Sequence, residues 1–149
     1  MDRIAKRNGI KIRYEPLDDD LSGMIFLKDN QAVIGVNAHH RPNRQRFTIA
    51  HELGHFFLHS DVLKQGAHVD TMITMLKRDQ NAALGTVNIE VEANQFAAEL
   101  LMPKKFVRDY LIREGIAQTA VADDTVVENL AKAFRVSVSS MAIRLATIL

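Results

Sequence analysis

The sequence predicts an α+β fold, mostly helical, with a small antiparallel sheet and a C-terminal pair of helices resembling a helix–turn–helix. Three observations predict it. Two short apolar runs, Met24-Ile25-Phe26-Leu27 and Ala32-Val33-Ile34-Gly35-Val36, flank Lys28-Asp29-Asn30-Gln31, the pattern of two strands joined by a four-residue turn. Residues 44–59 and 88–102 are long runs of helix-forming and apolar residues, the second halted by Pro103. Residues 125–148 read as helix, short turn, helix, with Thr125 and Glu128 at the spacing of a capping box.

Taken in order, residues 1–13 suit a short amphipathic helix that Gly9 would end. The hairpin follows. His39 to Asn43 forms a loop carrying Pro42, and a helix runs from about Arg44 to His59. That helix carries Phe47, Ile49, Ala50, Leu53, Phe56, Phe57 and Leu58 on nearly every side, as a buried helix does. Residues 69–78 suit a further helix and 79–87 a loop with Gly85. Helices are expected at 88–102 and 104–115, then a linker at 117–124. The domain expectation is a body of residues 1–116, with 117–149 as a helical appendage packed on it.

Composition narrows the function. The chain has 149 residues, 47% hydrophobic and 25% charged, which is ordinary for a globule able to bury a core. It has no Cys, so disulfide scaffolds and thiolate chemistry are excluded. A formal charge of +1 excludes a strong general electrostatic grip on nucleic acid. Five basic and five acidic residues among the first 20 leave no room for an apolar leader there. No apolar run reaches the 18 or so residues a membrane span needs. A cytoplasmic location is the expectation.

The chemistry sits in His51-Glu52-Leu53-Gly54-His55. On a helix, residues i and i+4 lie about 40° apart, so both imidazoles leave one face and can bind one metal ion. Glu52 sits about 100° round, beside such an ion and able to take a proton from its bound water. With six His and seven Glu in the chain, chance gives this pattern roughly 0.01 times. Polar groups clustered on an otherwise apolar helix also need a reason, because burying them unpaired costs several kcal/mol in order of magnitude.

Two His do not hold zinc alone; hydrolytic sites commonly add a third protein ligand and leave one position for water. The best candidate is Glu90, with Glu92 as the rival register. Glu90, Asn94, Ala97 and Leu101 share a stripe on the 88–102 helix. Asn94 would hold the back of a ligand imidazole. Gly54 on one helix and Ala93 and Ala97 on the other would permit a close approach; a mid-helix Gly otherwise costs about 1 kcal/mol against Ala. His59 could line the same cleft or simply sit at the helix C-terminus, where the macrodipole favours an imidazolium. His39 and His40 lie in the loop after the second strand and His68 in an undecided segment; each could donate a hydrogen bond to an oxyanion, although an exposed loop His is the commoner case, and Tyr14 and Tyr110 are given no catalytic role.

These residues resemble the ImmA/IrrE family of metallopeptidases. The resemblance rests on Arg44 to His59 with its H-E-x-x-H, on Glu90-Val91-Glu92-Ala93-Asn94-Gln95-Phe96-Ala97-Ala98-Glu99-Leu100-Leu101-Met102-Pro103, and on the tail from Leu130 to Ser137 with Arg144-Leu145. It implies a zincin-like fold and a zinc held by His51, His55 and Glu90, with Glu52 as general base. It also implies a substrate: a helix–turn–helix repressor encoded nearby, or an antitoxin, whose cleavage releases mobile-element, phage or stress genes. In the mechanism expected from it, the metal polarises the scissile carbonyl while Glu52 moves the water proton to the leaving amine. The strand at 32–36 would offer an edge to an extended substrate.

The rival reading is a non-catalytic zinc-containing partner, or a DNA-binding regulator, in a repressor or toxin–antitoxin pair. Arg144 is the one basic residue of the last helix, a poor inventory for reading base edges, which argues against direct nucleic-acid binding.

Overall fold

The computed structural model describes residues 1–149 except 30, 62–67, 72–79, 118–119 and 122; side chains are described outside those and outside 68–71 and 80–86. Its elements are α1 (Asp2–Arg7), β1 (Lys11–Glu15), β2 (Leu21–Lys28), β3 (Gln31–Asn37), α2 (Pro42–Leu58) and β4 (His68–Thr71). They continue with α3 (Gln80–Leu101), α4 (Lys104–Arg113), α5 (Asp124–Phe134) and α6 (Val138–Ile148). The chain divides into two compact units, Met1–Ala97 and Ala98–Leu149. No helix among the described residues is long and apolar enough to cross a membrane.

The first unit is built on a four-stranded sheet of order β1-β3-β2-β4. The α+β expectation holds, but the sheet is mixed rather than antiparallel. β1 runs parallel to β3, pairing Ile12 with Ile34, while β2 pairs antiparallel with both β3 and β4. The opening helix is correspondingly short. Gly9, at φ +70, ends it in the left-handed conformation that glycine adopts freely. Ile12 and Tyr14 then alternate along β1, whose first three residues fall within the helix expected over 1–13.

The hairpin is present with a tighter turn than expected. Lys28 pairs with Gln31, and Asp29 has φ +50, a left-handed position that Asp tolerates. β3 is buried from Ala32 to Asn37 and flanked on both sides, so it offers no edge to a substrate; the outer strands are β1 and β4.

Pro42 opens α2 rather than preceding it, with Arg41 extended before it as the proline ring requires. Two side chains tie the first turn of α2 to the sheet. Arg44 donates to Ser22 Oγ at 2.9 Å, and Gln45 donates to the carbonyls of Asn37 and Ala38 at 3.0 and 3.2 Å. The helix is buried from Thr48 to His55 only; Phe57 and Leu58 are exposed. Ile49, Ala50 and Leu53 join Ile25, Ile34 and Val36 in the core.

Between α2 and α3 the expectations fail. Residues 69–71, assigned to a helix, form part of β4; the rest of that helix, 72–78, lies outside the described residues. The loop assigned to 79–87 is helical from Gln80, because α3 runs 22 residues through Gly85 to Leu101. Ala82, Ala83 and Leu84 are strong helix formers, and one interior Gly at about 1 kcal/mol does not undo them.

The second unit packs Met102, Val107 and Leu111 with Leu130, Met141 and Leu145 in its core. The helix pair forms as α5 and α6, but Asp123, not Thr125, caps α5: its carboxylate accepts from Thr125 N–H at 2.8 Å. Glu128 pairs with Lys132 one turn on instead of closing a capping box. Arg144 is 11% exposed; its Nε donates to the Met102 carbonyl at 2.9 Å and its terminal nitrogen pairs with Glu99. The one basic side chain of α6 is therefore engaged within its own unit.

Candidate metal centre

Every residue singled out for metal chemistry lies in the first unit, on two helices. The buried middle of α2 places His51 and His55 one turn apart, 4% and 1% exposed, with rings edge to face at 4.7 Å between centroids. Their Nε2 atoms are 3.0 Å apart. From α3, Glu90 brings Oε2 to 3.2 Å from Nε2 of His51 and Oε1 to 3.4 Å from Nε2 of His55.

Two close approaches make this possible. A Cβ built on Gly54 would lie 3.0 Å from Ala93 Cα and 3.1 Å from the Ala93 carbonyl oxygen, so the backbones of α2 and α3 meet where neither carries bulk. On the opposite side, a Cβ on Gly23 of β2 would fall 2.4 Å from Thr48 Cγ2 and 2.8 Å from the Gly35 carbonyl. The sequence reading passed over Gly23. An isolated Gly within a strand was the available signal, since it marks a bulge or a close approach, and the β2–β4 register slips between Leu21 and Gly23. Gly54→Val should force α2 and α3 apart and destabilise the protein by about 1–3 kcal/mol, the ordinary cost of overpacking. Chemical denaturation measures it; an unchanged midpoint would contradict the packing described.

The electrostatics of the cluster point to a cation. The side-chain carbonyl of Asn94 lies 3.0 Å from Nδ1 of His51. A carbonyl oxygen only accepts, so Nδ1 donates, and in the neutral imidazole Nε2 then keeps its lone pair. That lone pair faces a carboxylate and a second imidazole nitrogen. Three Lewis bases converge unfavourably unless a proton or a metal ion stands among them. His51, His55 and Glu90 together offer ligand atoms within 4.8 Å of one another. In tetrahedral coordination with bonds of about 2.0–2.1 Å, ligand atoms lie about 3.3–3.4 Å apart. The two Nε2 atoms, 3.0 Å apart, lie close to that spacing, and Glu90 turns one carboxylate oxygen to each imidazole, at 3.2 and 3.4 Å.

Glu52 is fully buried, and the position of a Cβ on Gly23 would be 3.6 Å from its Oε1. The carboxylate thus lies against β2. Glu92, the rival to Glu90, points elsewhere: its side chain is 58% exposed and faces His59 at 3.5 Å. Of the remaining candidates, His39 follows β3, where its backbone N–H donates to Asn37 Oδ1 at 3.0 Å. His68 falls in β4. Tyr14 is exposed on β1; partial burial, then the nearby Asp2 carboxylate, raise its pKa above the usual phenol value.

Comparison with known proteins places the chain in a family. A family model described as the IrrE N-terminal-like domain matches residues 5–146. The chain is 36% identical over 91 residues to the radiation response metalloprotease IrrE of Deinococcus deserti, covering 61% of this chain and 30% of that protein. With the radiation response metalloprotease IrrE of Deinococcus radiodurans it shares 35% identity over 108 residues, 72% of this chain and 29% of that one. The chain therefore spans under a third of the length of these curated relatives. A solved structure of a Mycobacterium tuberculosis transcriptional regulator shares the fold. It superposes with a TM-score of 0.60 over 97% of this chain and 39% of that chain, at 22% identity. With the family model covering nearly all of it, the chain belongs to the ImmA/IrrE family through its IrrE N-terminal-like domain.

Proposed function

We propose that the chain is a zinc-dependent endopeptidase acting in the cytoplasm, and that its substrate is a helix–turn–helix repressor or antitoxin encoded nearby. The observation that carries this reading is the convergence of His51 and His55 from α2 with Glu90 from α3. A divalent cation held there would polarise the scissile carbonyl and acidify the attacking water. The rest is the work of the chain. Glu52 takes the proton from the water on a carboxylate oxygen and delivers it to the nitrogen of the leaving amine. Asn94 holds the proton of His51 on Nδ1, keeping Nε2 free for the ion.

In this reading residues 1–116 form a zincin-like domain that carries the catalysis, and 117–149 form the helical appendage. An extended substrate segment adds to an outer strand, β1 or β4, since β3 is enclosed. The DNA-reading alternative is disfavoured by Arg144, whose contacts within its own unit leave α6 without a free cationic side chain among its described residues. Co-expression with the product of the neighbouring gene, followed by mass spectrometry, tests the function. Metal-dependent fragments with a defined new terminus are expected. An intact neighbour together with a separate sequence-specific gel shift by the chain itself would favour the DNA-binding reading instead.

A further inference from the structure

His59 has no part in the chemistry above, yet it is built into the same corner. It follows α2 as its C-terminal cap, at φ −129 and ψ 36, and its backbone N–H donates to the His55 carbonyl at 2.9 Å. Its side chain is only 8% exposed, and its ring lies 5.5 Å from that of His55, tilted by 51°. Nε2 is buried, makes no hydrogen bond among the described residues, and lies 3.5 Å from Oε2 of Glu92 on α3. The three histidines of α2 and its cap thus each meet a polar side chain of α3: Asn94, Glu90 and Glu92.

We propose that His59, paired with Glu92, is a positioning residue that holds His55 and Glu90 in register for the metal ion. The proposal rests on the reading of His51, His55 and Glu90 as ligands. Two features give the pair this leverage. The ring of His59 packs on the ring of a ligand and its backbone closes the turn that carries that ligand. Glu92 stands two residues from Glu90, so the pair ties the end of α2 to the stretch of α3 that carries the third ligand. The exposed carboxylate makes the pair a weak source of overall stability. Its effect belongs in preorganisation of the site, where partners behind metal ligands typically contribute 10–100-fold in affinity.

The test is a double-mutant cycle read by Zn2+ affinity, in competition with a chromogenic chelator, on the full chain. His59→Ala should weaken Zn2+ binding about tenfold, and Glu92→Gln, an exposed substitution that leaves packing alone, about three- to fivefold. The double variant should bind no more weakly than His59→Ala by itself, because both remove one clamp. The thermal midpoint of the metal-free protein should stay near that of the parent for Glu92→Gln. Parent-like affinity in Glu92→Gln and His59→Ala, or losses that multiply independently, would overturn the proposal. A merely structural role would lower the metal-free midpoint while leaving Zn2+ affinity unchanged, and would overturn it as well. A parent protein whose Zn2+ binding is absent, or indifferent to His51→Ala, would instead refute the metal site itself.

Discussion

Glu52→Gln is expected to lose cleavage by about 10²–10⁴-fold, the usual contribution of a positioned general base, while retaining a full equivalent of metal. The substitution is close to isosteric, which matters because Glu52 is fully buried between α2 and the sheet. A larger or smaller residue would disturb the packing against Gly23 and confuse a folding defect with a chemical one. Gln keeps the volume and the polarity but has no basic oxygen able to hold the water proton. Fragment yield from the co-expressed product of the neighbouring gene gives the rate, and elemental analysis gives the metal. Undiminished cleavage would remove Glu52 from the role of base. Loss of metal along with activity would mean that the residue helps to hold the ion.

Glu90→Gln should weaken Zn2+ binding more than 100-fold, beyond the 10–100-fold typical of an outer partner. Glu90 brings one carboxylate oxygen to 3.2 Å from His51 and the other to 3.4 Å from His55, whereas Glu92 faces His59 from an exposed position. The ratio between the two Gln variants therefore distinguishes a ligand from a residue that acts through another. The competition assay reads both, and a larger loss at Glu92 than at Glu90 would reverse the assignment. The amide is a far poorer ligand for a divalent cation than the carboxylate, and it removes the negative charge that offsets the ion.

Much of this site was legible in the amino-acid sequence, because helical geometry converts spacing directly into direction. His51 and His55 at i, i+4, and Glu90 and Asn94 at i, i+4, each define one face without knowledge of the fold. Gly54 and Ala93 announced a close crossing by their size alone, and they meet. What was not legible depends on pairing between distant segments. β1 was read as the end of a helix because its identity as a strand rests on a parallel partner twenty or so residues on, in β3. β4 is four residues with Asp70 within it, too short and too polar for periodicity to reveal. The cap of α5 was misplaced by two residues because Asp123, Asp124 and Thr125 are all competent caps and local sequence does not choose among them. His59 and Glu92 were each noticed, but what joins them is the way α2 and α3 cross, which no local pattern encodes.

X-ray absorption spectroscopy of the Zn2+-loaded protein, with metal content measured on the same sample, tests the central claim most directly. The account predicts one ion per chain, bound by two imidazole nitrogens and carboxylate oxygen at about 2.0–2.2 Å, with the imidazole signal lost in His51→Ala and His55→Ala. A protein that retains no ion after mild desalting, or an ion whose surroundings are unchanged by those two substitutions, would contradict it.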